Sequence, residues 1–274
     1  MKRRRRKKEK QTAATLDTSN VASSKAMSTT LPSFHVNHGT VDSFKLDVTF
    51  REDLHLRIIQ EEGSYKLVHD GDKFDLSFDY KFAGTHSFSS LELSHIVWGL
   101  LERGDNFERV RKCVEKAASP CKKKPLDSKF EFLPIFVQIK ARFPRAKRIQ
   151  TNHTDVNKVH RGQFINVFIN VFHKESVDKD FGAPFIKDTP TNIPQYCGLA
   201  YDSAVLHRTG CNRRKDVRYL ILITWVKCRV EDSNDGKRVY SFVKLPGELV
   251  KDHYSWYENE FNVELRPQSV DESE

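Results

Sequence analysis

The 274-residue sequence contains no apolar run near the length of about 18 residues that a membrane-spanning helix requires. Its longest apolar stretches, FINVFINVF and YLILITWV, have the length of strands, so we do not expect an integral membrane protein. The basic N-terminus is followed by no apolar segment, which does not support a secretory signal. Cysteine is sparse: five residues, an odd number with no Cys-x-x-Cys pair, argue against a disulfide framework or a thiolate zinc site.

Positive charge is concentrated at the N-terminus. The net charge is +9, but MKRRRRKKEK alone contributes +7, and the other 264 residues contribute only +2. This clustering of positive charge predicts either a nuclear-import signal or an arm that binds a polyanion. An import signal implies a nuclear location. The basic cluster comprises Arg3, Arg4, Arg5, Arg6, Lys7 and Lys8. A solvated tail without a partner, an organelle transit peptide and a cytoplasmic location are the alternatives. The near-neutral remainder argues against a strong grip on nucleic acid.

Composition divides the chain into three parts. Residues 1–32 are basic and rich in Ser, Thr and Ala, and they have too little apolar area to offset their chain entropy, which predicts disorder. We expect residues 33–267 to form one domain and the acidic residues 268–274 to form a second disordered tail.

From residue 33 to about residue 80, alternating apolar and polar residues, separated by polar turns, predict strands.

Two helices are predicted next. The first has Ser89 and Glu92 as a capping box, an apolar stripe that begins at Leu93, and an end at Gly104. The second covers about residues 105–118. The segment FEFLPIFVQIKARF that follows is ambiguous between helix and strand.

Strands dominate the C-terminal half. They are predicted at about residues 146–153, 163–173, 197–207, 217–228 and 238–244. In FINVFINVF the Ile and Val residues share one face, and the Phe residues share the other face with Asn166 and Asn170. Two covered faces, one of them partly polar, are typical of a barrel wall. The two asparagines would either line a pocket or be hydrogen-bonded within the wall.

The chain contains two His-x-Asp/Glu sequences, His153-Thr-Asp155 and His173-Lys-Glu175. With 11 His and 37 acidic residues in 274 positions, about 1.5 matches are expected by chance, so the pattern alone discriminates nothing. We favour the first pair because it ends a predicted strand and lies 52 residues before His207, far enough for several strands to intervene. Two imidazoles and one carboxylate are the ligand set typical of non-haem Fe(II) oxygenases.

Arg218 follows His207 by eleven positions. In a regular strand its side chain would point to the same side as Leu220 and Leu222, an apolar face. A guanidinium in such a place is costly unless an anion pairs with it. The alternative is an arginine at a strand end that reaches solvent.

The segment LAYDSAVLHRTGCNRRKDVRYLI resembles the C-terminal motif of the phytanoyl-CoA dioxygenase-like branch of the Fe(II)/2-oxoglutarate oxygenases. In that branch the distal His is followed by a small turn, an Asn, and an Arg eleven positions beyond the His. Here these are His207, Thr209-Gly210, Asn212 and Arg218, and the resemblance covers about residues 150–227. A Gly-rich stretch frequent in that branch is absent, so the resemblance does not extend to a substrate class.

The resemblance implies a mostly β (α+β) fold, with a double-stranded β-helix (jelly-roll, cupin-like) core at about residues 145–245 and flanking N-terminal helices. It further implies that His153, Asp155 and His207 bind Fe(II) and that Arg218 binds the distal carboxylate of 2-oxoglutarate. O2 would be the second co-substrate and ascorbate the reductant. An Asp at position 155, rather than Gly or Ala, argues for hydroxylation over halogenation, because no ligand position is then freed for a halide.

The activity so implied is that of a dioxygenase that hydroxylates or demethylates an unidentified small molecule, protein side chain or nucleic acid and converts 2-oxoglutarate to succinate. Tyr201 and Ser203 would line the co-substrate pocket, unless Asp202-Ser203 forms a turn that disrupts the alternation. Asn212 is predicted to be a turn residue. The alternative function is a non-catalytic jelly-roll binding module, tethered to chromatin or RNA by its basic arm.

Overall fold

A computed structural model of the chain describes residues 35–36, 39–47, 56–77, 80–82, 84–119, 129–144, 150–243 and 251–268. All of these residues belong to one unit, Leu31–Glu274. The predicted tail at residues 1–32, with its basic cluster, lies outside the described residues, as do residues 269–274.

The described residues form mostly β structure with a small number of helices. The strands are β1 (His35–Val36), β2 (Gly39–Thr40), β3 (Asp42–Lys45), β4 (Arg57–Glu61), β5 (Ser64–His69), β6 (Asp72–Leu76), β7 (Tyr80–Phe82), β8 (Thr85–Phe88), β9 (Phe130–Arg142), β10 (Phe164–Ile169), β11 (Pro184–Ile186), β12 (Thr189–Pro190), β13 (Cys197–Asp202), β14 (His207–Thr209), β15 (Arg218–Asp232), β16 (Arg238–Val243) and β17 (Val263–Gln268). The α-helices are α1 (Leu91–Glu102), α2 (Asn106–Ala118) and α3 (Lys251–Phe261), and one 3-10 turn covers Lys158–His160.

Two sheets form the jelly roll, and their strands pair antiparallel except for the parallel pair β16–β17 at one end of the major sheet. The major sheet has the order β3-β13-β10-β15-β9-β8-β7, and the minor sheet has the order β12-β11-β14, which an isolated bridge between His153 and His207 extends. From β9 onward the chain passes repeatedly from one sheet to the other, with β10, β13 and β15 in the major sheet and β11, β12 and β14 in the minor one. This connectivity is that of a double-stranded β-helix, which confirms the predicted fold class.

The major sheet is buried on both faces, as the FINVFINVF pattern predicts. On β10, Ile165 and Val167 pack with α1 and α2 in one core cluster. Phe168 points to the other side, into a cluster shared with Leu222 of β15 and Ile186 of the minor sheet. The jelly-roll interior is therefore enclosed by apolar side chains, which keep water away from polar groups placed inside it.

The ambiguous segment at residues 130–142 is a strand. It pairs with β15 along most of its length and with β8 on its other edge. Pro134 lies opposite Trp225, at the point where the register of β9 and β15 shifts. Proline has no N–H for the ladder, so a bulge accommodates it within a central strand. The strand β9 therefore belongs to the major sheet from Phe130 onward.

The start of α1 differs by one residue from the prediction. Ser90, not Ser89, is the N-cap, and its Oγ accepts a hydrogen bond from Leu93 N at 3.1 Å. Glu92 therefore occupies the second helical position, and the predicted capping box does not form. The helix ends at Glu102, and Gly104 follows with a φ of +58°, a conformation that favours glycine. None of the described helices has the length and apolarity needed to cross a membrane.

Candidate metal centre

Three side chains that are distant in the sequence meet in the jelly roll. His153, Asp155 and His207 each offer one ligand atom, and these atoms lie within 4.8 Å of one another. Asp155 Oδ1 is 3.6 Å from His153 Nε2, and Asp155 Oδ2 is 3.4 Å from His207 Nε2. Two imidazoles and one carboxylate around a common point are the donor set that binds non-haem Fe(II) and leaves coordination positions open.

Backbone pairing brings the two histidines together. His153 N donates to His207 O at 2.9 Å, and His207 N donates to His153 O at 2.8 Å. Because directly paired residues of an antiparallel bridge project to the same face, the two rings lie side by side, with centroids 4.4 Å apart. Asp155 N donates to Ser203 O at 3.0 Å, which holds the carboxylate beside both rings.

Both imidazoles are oriented by carbonyl oxygens. Nδ1 of His153 lies 3.0 Å from Thr151 O, and Nδ1 of His207 lies 2.9 Å from Val205 O. A carbonyl can only accept, so each Nδ1 carries a proton. In the neutral imidazole the lone pair is then on Nε2, which is the atom available to a metal, whereas without a metal a protonated His207 Nε2 donates to Asp155. This arrangement is the one that metal-binding histidines require, because the second nitrogen fixes the tautomer and the ring orientation.

The three groups stabilise one another's charges. Burial opposes ionisation of Asp155, but the hydrogen bond and charge of His207, together with the charges of His153 and Lys140, lower its pKa below the ordinary value. Burial likewise opposes protonation of His207, and the Asp155 carboxylate outweighs it and raises the pKa of His207. The carboxylate is therefore ionised at neutral pH, the state in which it binds a cation.

Asn166 connects the Asp155 carboxylate to the barrel wall. Its Nδ2 donates to Asp155 Oδ2 at 2.6 Å, and its Oδ1 accepts from Thr224 Oγ1 at 3.0 Å. Tyr201 OH lies 3.4 Å from the same Nδ2. The buried amide therefore fixes the carboxylate orientation from one side and leaves Oδ1 of Asp155 toward His153. Of the two interpretations of Asn166, the structure shows the pocket-lining one.

Arg218 lies inside the barrel, with only 1% of its surface exposed. Its Nη1 donates to Lys140 O at 3.0 Å, while its Nε has no hydrogen-bond partner in the described part of the chain. Burial, and to a smaller extent the charge of Arg142, lowers the pKa of Arg218 to about 9. No described carboxylate pairs with this guanidinium. A buried cation in this state costs several kcal/mol, on the order expected for an uncompensated charge, unless an anion binds it.

Two further cations, Lys140 and Arg142, line the interior next to Arg218. Arg142 lies directly opposite Arg218 in the sheet, and Lys140 lies opposite Leu220. Burial lowers the pKa of Lys140 to about 8, and its Nζ donates to Ser87 Oγ at 2.8 Å. Neither residue was predicted from the sequence. The available signal was the alternation of Gln138, Lys140 and Arg142 with apolar residues, which is the pattern of a strand with one polar face.

Gly182 closes the pocket over these arginines. A Cβ at this position would lie 3.0 Å from Arg142 Cγ and 3.4 Å from Arg218 Nε, and the φ of +69° further favours glycine. A side chain here would therefore displace the guanidinium of Arg218 or fill the space in front of it.

Tyr201 and Ser203 have different environments. Tyr201 is buried in the interior core, with its ring centroid 5.0 Å from that of His207. Ser203 lies in a turn after β13, where Asp202 Oδ1 accepts from Ala204 N at 2.9 Å. The predicted unbroken strand at residues 197–207 is wrong, because this turn carries the chain from the major to the minor sheet before His207. Ser203 contacts the site through its carbonyl, which accepts from Asp155 N.

Asn212 and Asn170 hold loops together. Asn212 Nδ2 donates to Arg142 O at 2.9 Å and to Asp216 O at 2.7 Å, which agrees with its prediction as a turn residue. Asn170 Nδ2 donates to Glu175 O at 3.1 Å and to Ile193 O at 3.0 Å. Asn170 is thus hydrogen-bonded within the wall and does not contact the metal centre. The second His-x-Glu sequence, His173 to Glu175, likewise lies apart from the three ligands.

Comparisons with known proteins gave matches only among solved structures. No protein-family profile and no curated protein matched the chain. EvdO2 from Micromonospora carbonacea var. aurantiaca complexed with 2-oxoglutarate is 10% identical over 74% of this chain and 96% of its own, with a TM-score of 0.42. HygX from Streptomyces hygroscopicus with nickel and 2-oxoglutarate bound is 10% identical over 54% and 72%, with a TM-score of 0.37.

A third similar structure, EvdMO1, is 14% identical and has a TM-score of 0.34. The match covers 58% of this chain and only 37% of EvdMO1. At such identities and TM-scores these likenesses are weak, and the fold and the metal centre rest on the strand order and side-chain geometry of this chain.

Proposed function

We propose that this chain is a non-haem Fe(II)- and 2-oxoglutarate-dependent dioxygenase that hydroxylates or demethylates a substrate and releases succinate. The observation that carries the proposal is the convergence of His153, Asp155 and His207 on the barrel whose interior encloses the guanidinium of Arg218. Each feature is common alone. Together they support a partly exposed cation site and a buried anion site in one barrel.

The residues fit both groups. The two Nε2 lone pairs and the Asp155 carboxylate form the donor set that suits Fe(II). The unsatisfied Nε and the burial of Arg218 call for an anion with a flat, two-oxygen group, and a carboxylate has that geometry. His153, Asp155 and His207 would therefore hold Fe(II), and Arg218 would bind the distal carboxylate of 2-oxoglutarate.

When bound, iron and 2-oxoglutarate supply the oxidising chemistry with O2. The protein's own contribution is positioning. Thr151 O and Val205 O fix the two imidazole rings so that their Nε2 atoms would be available to a metal, and Asn166 holds the carboxylate in one orientation. The apolar interior around Arg218 keeps water away from its guanidinium, which strengthens its attraction for an anion.

Ligand binding and turnover test the proposal. The purified full chain, loaded with Fe(II) under anaerobic conditions, should bind 2-oxoglutarate and develop the charge-transfer absorption of an iron–keto acid chelate. With O2 and ascorbate it should release succinate. Two results would instead indicate a non-catalytic binding module. One is that the chain does not retain iron; the other is that the wild type releases no more succinate than the His207→Ala variant.

Arg218→Met tests the anion site separately from the metal. We expect at least a 100-fold loss of 2-oxoglutarate affinity, about 3 kcal/mol, because a buried charge-assisted bidentate contact is removed. Iron binding should not change. Because methionine removes an unpaired buried charge, the ligand-free variant should be as stable as the wild type or more stable by about 1–2 kcal/mol. Calorimetric titration and urea unfolding measure the two effects, with the exposed Arg213→Met as the control.

A further inference from the structure

Three polar side chains cross the apolar interior of the barrel beside the metal ligands. Tyr201 of β13 and Thr224 of β15 lie directly opposite Asn166 of β10, one on each side. Directly paired residues of antiparallel strands project to the same face, so all three side chains belong to the interior face of the major sheet. All three are buried, and we call them the polar row. Because buried polar groups are costly without partners, each donor and acceptor of the row requires an account.

Hydrogen bonds account for two members of the polar row. Thr224 Oγ1 donates to Asn166 Oδ1 at 3.0 Å. Asn166 Nδ2 donates to Asp155 Oδ2 at 2.6 Å and to Tyr201 OH at 3.4 Å. An amide nitrogen can only donate, so the oxygen of the Tyr201 hydroxyl is the acceptor in this contact. The row therefore connects the carboxylate of a metal ligand to a phenol, and the phenol still has a proton to donate.

The proton of the Tyr201 hydroxyl has no acceptor among the described residues. The contact with Asn166 is the hydrogen bond that this hydroxyl forms there, and in it the oxygen accepts. Tyr201 is only 1% exposed, so bulk water does not supply an acceptor. Burial, and to a smaller extent the negative charge of Asp155, raises the pKa of Tyr201 well above its ordinary value, so the phenol keeps its proton. A buried donor without an acceptor is costly, and a ligand oxygen would remove that cost.

The position of this donor identifies the part of a ligand that it faces. The ring of Tyr201 lies 5.0 Å from that of His207, measured between centroids, and it stacks on Phe168 at 5.9 Å. A single amide, that of Asn166, separates the hydroxyl from the carboxylate of Asp155. The donor is therefore fixed beside the metal ligands. Arg218, in contrast, lies at the start of β15, six residues before the point where the polar row crosses that strand.

We propose that Tyr201 is a second co-substrate-binding residue, whose hydroxyl donates a hydrogen bond to an oxygen at the metal-binding end of the keto acid. The proposal rests on the proposed function and divides the recognition of 2-oxoglutarate between two residues. Arg218 binds the distal carboxylate, and Tyr201 binds the end that carries the 1-carboxylate and the 2-keto group. A carboxylate oxygen is a strong acceptor, so this contact is charge-assisted. Tyr201 thereby favours a 2-oxo acid over an anion that has only a distal carboxylate.

Two ligands separate the two ends of the co-substrate. 2-Oxoglutarate carries both ends, whereas oxalate has two adjacent carboxylates and reproduces only the metal-binding end. Calorimetric titration of the full chain, loaded with Fe(II) under anaerobic conditions, measures the affinity for each. Tyr201→Phe keeps the stacked ring and removes only the hydroxyl. It should weaken the binding of both ligands at least about tenfold, the scale of a hydrogen bond to a charged group. Arg218→Met should weaken the binding of 2-oxoglutarate and leave that of oxalate within twofold.

Fe(II) affinity distinguishes a direct contact from an indirect one. If Tyr201 acted only through Asn166 on the Asp155 carboxylate, Tyr201→Phe would weaken Fe(II) binding as much as oxalate binding, and the proposal would be overturned. A direct contact predicts Fe(II) affinity within twofold of the wild type, which also shows that the variant folds. Tyr254→Phe is the matched control. Tyr254 is likewise buried with a hydroxyl that has no partner in the described part of the chain, but it belongs to another core cluster. This control should leave all three affinities unchanged.

The two proposals fail in different ways. If the wild type binds iron and 2-oxoglutarate, and Tyr201→Phe binds 2-oxoglutarate and oxalate within twofold of the wild type, only the role of Tyr201 is contradicted. If the iron-loaded chain binds oxalate in a manner that depends on Tyr201 but does not bind 2-oxoglutarate, the proposed function is contradicted. The Tyr201 hydroxyl then remains a donor to a carboxylate at the metal centre.

Discussion

Two three-residue sequences of the same pattern, His153-Thr-Asp155 and His173-Lys-Glu175, have entirely different roles in the folded chain. The first brings its imidazole and carboxylate to a shared point with His207. In the second, His173 Nε2 accepts a hydrogen bond from Tyr219 N at 2.9 Å, and its ring stacks parallel to that of Tyr219. Glu175 points away and forms an ion pair with Arg214.

The neighbouring strand makes the difference. His153 pairs with the first residue of β14, which is a histidine, whereas His173 lies against the start of β15, which offers a backbone N–H. The electrostatic surroundings differ as well. Asp155 raises the pKa of His207, while burial and the charge of Arg218 lower the pKa of His173 to about 4. An imidazole that already accepts a backbone hydrogen bond and lies near a cation is a poor metal ligand.

Removal of the carboxylate from each His-x-acid pair should give the largest difference in Fe(II) affinity between two variants. Asp155→Ala should weaken Fe(II) binding more than about 100-fold, because even partners outside the ligand set commonly contribute 10–100-fold. Glu175→Ala should leave Fe(II) binding within twofold and lower stability by less than about 1 kcal/mol, since its ion pair is exposed. Metal titration of the two variants makes the comparison. Equal losses would contradict the assignment of the first pair as ligands.

Asn166 in β10 and Asn170 directly after it should give a smaller difference in Fe(II) affinity when each is replaced. Asn166→Ala should lower Fe(II) affinity about 10–100-fold, because Asp155 loses the amide that orients it. Asn170→Ala should leave the affinity unchanged but lower the free energy of unfolding by about 2–3 kcal/mol, because Glu175 O and Ile193 O lose a buried donor. Metal titration and urea unfolding of both variants separate the two effects. A loss of metal affinity in Asn170→Ala alone would reverse the interpretation.

The smallest expected effect is a pH dependence of stability at His173. Its pKa in the folded protein is about 4, so between pH 6.5 and 4 the unfolded chain binds a proton that the folded chain does not. The stabilisation present above pH 6.5 is therefore lost as the pH falls to 4, by about 2–3 kcal/mol at most. His173→Phe keeps a stacking ring but removes this titration.

Urea unfolding of the metal-free wild type and of His173→Phe at pH 7, 5.5 and 4.5 measures that loss. The variant should be less stable at pH 7 by about 1–2 kcal/mol, because Tyr219 N loses its acceptor. The difference between the two proteins should shrink as the pH falls and change sign by about pH 4.5, because the loss in the wild type exceeds the starting difference. A difference that is constant with pH would contradict the low pKa of His173.

The strands predicted at 163–173, 217–228 and 238–244 agree with β10, β15 and β16, whereas in the described part of the one predicted at 146–153 only His153 forms a β-bridge. The alternation in β10 predicts two covered faces, and the structure shows one against helices and one in the barrel. The buried side of Arg218 follows from the same alternation in β15. The prediction of one strand at residues 197–207 was wrong because Asp202 caps a turn, an interaction that leaves no trace in hydrophobic periodicity. The start of α1 at Ser90 is a comparable one-residue error, because two adjacent serines are equivalent N-cap candidates.

The sequence by itself determined the strand-rich character of the chain and the set of residues from which a metal site could be built, and it favoured an inward Arg218 over one that reaches solvent. These depend on side-chain alternation, which a strand imposes over a few residues. Only the tertiary structure decided which His-x-acid pair meets His207, that Asn166 supports the site while Asn170 does not, and that Lys140 and Arg142 join Arg218 inside the barrel. Those outcomes depend on strand pairing and register between segments far apart in the chain, and a shift of one residue would turn each side chain to the opposite face.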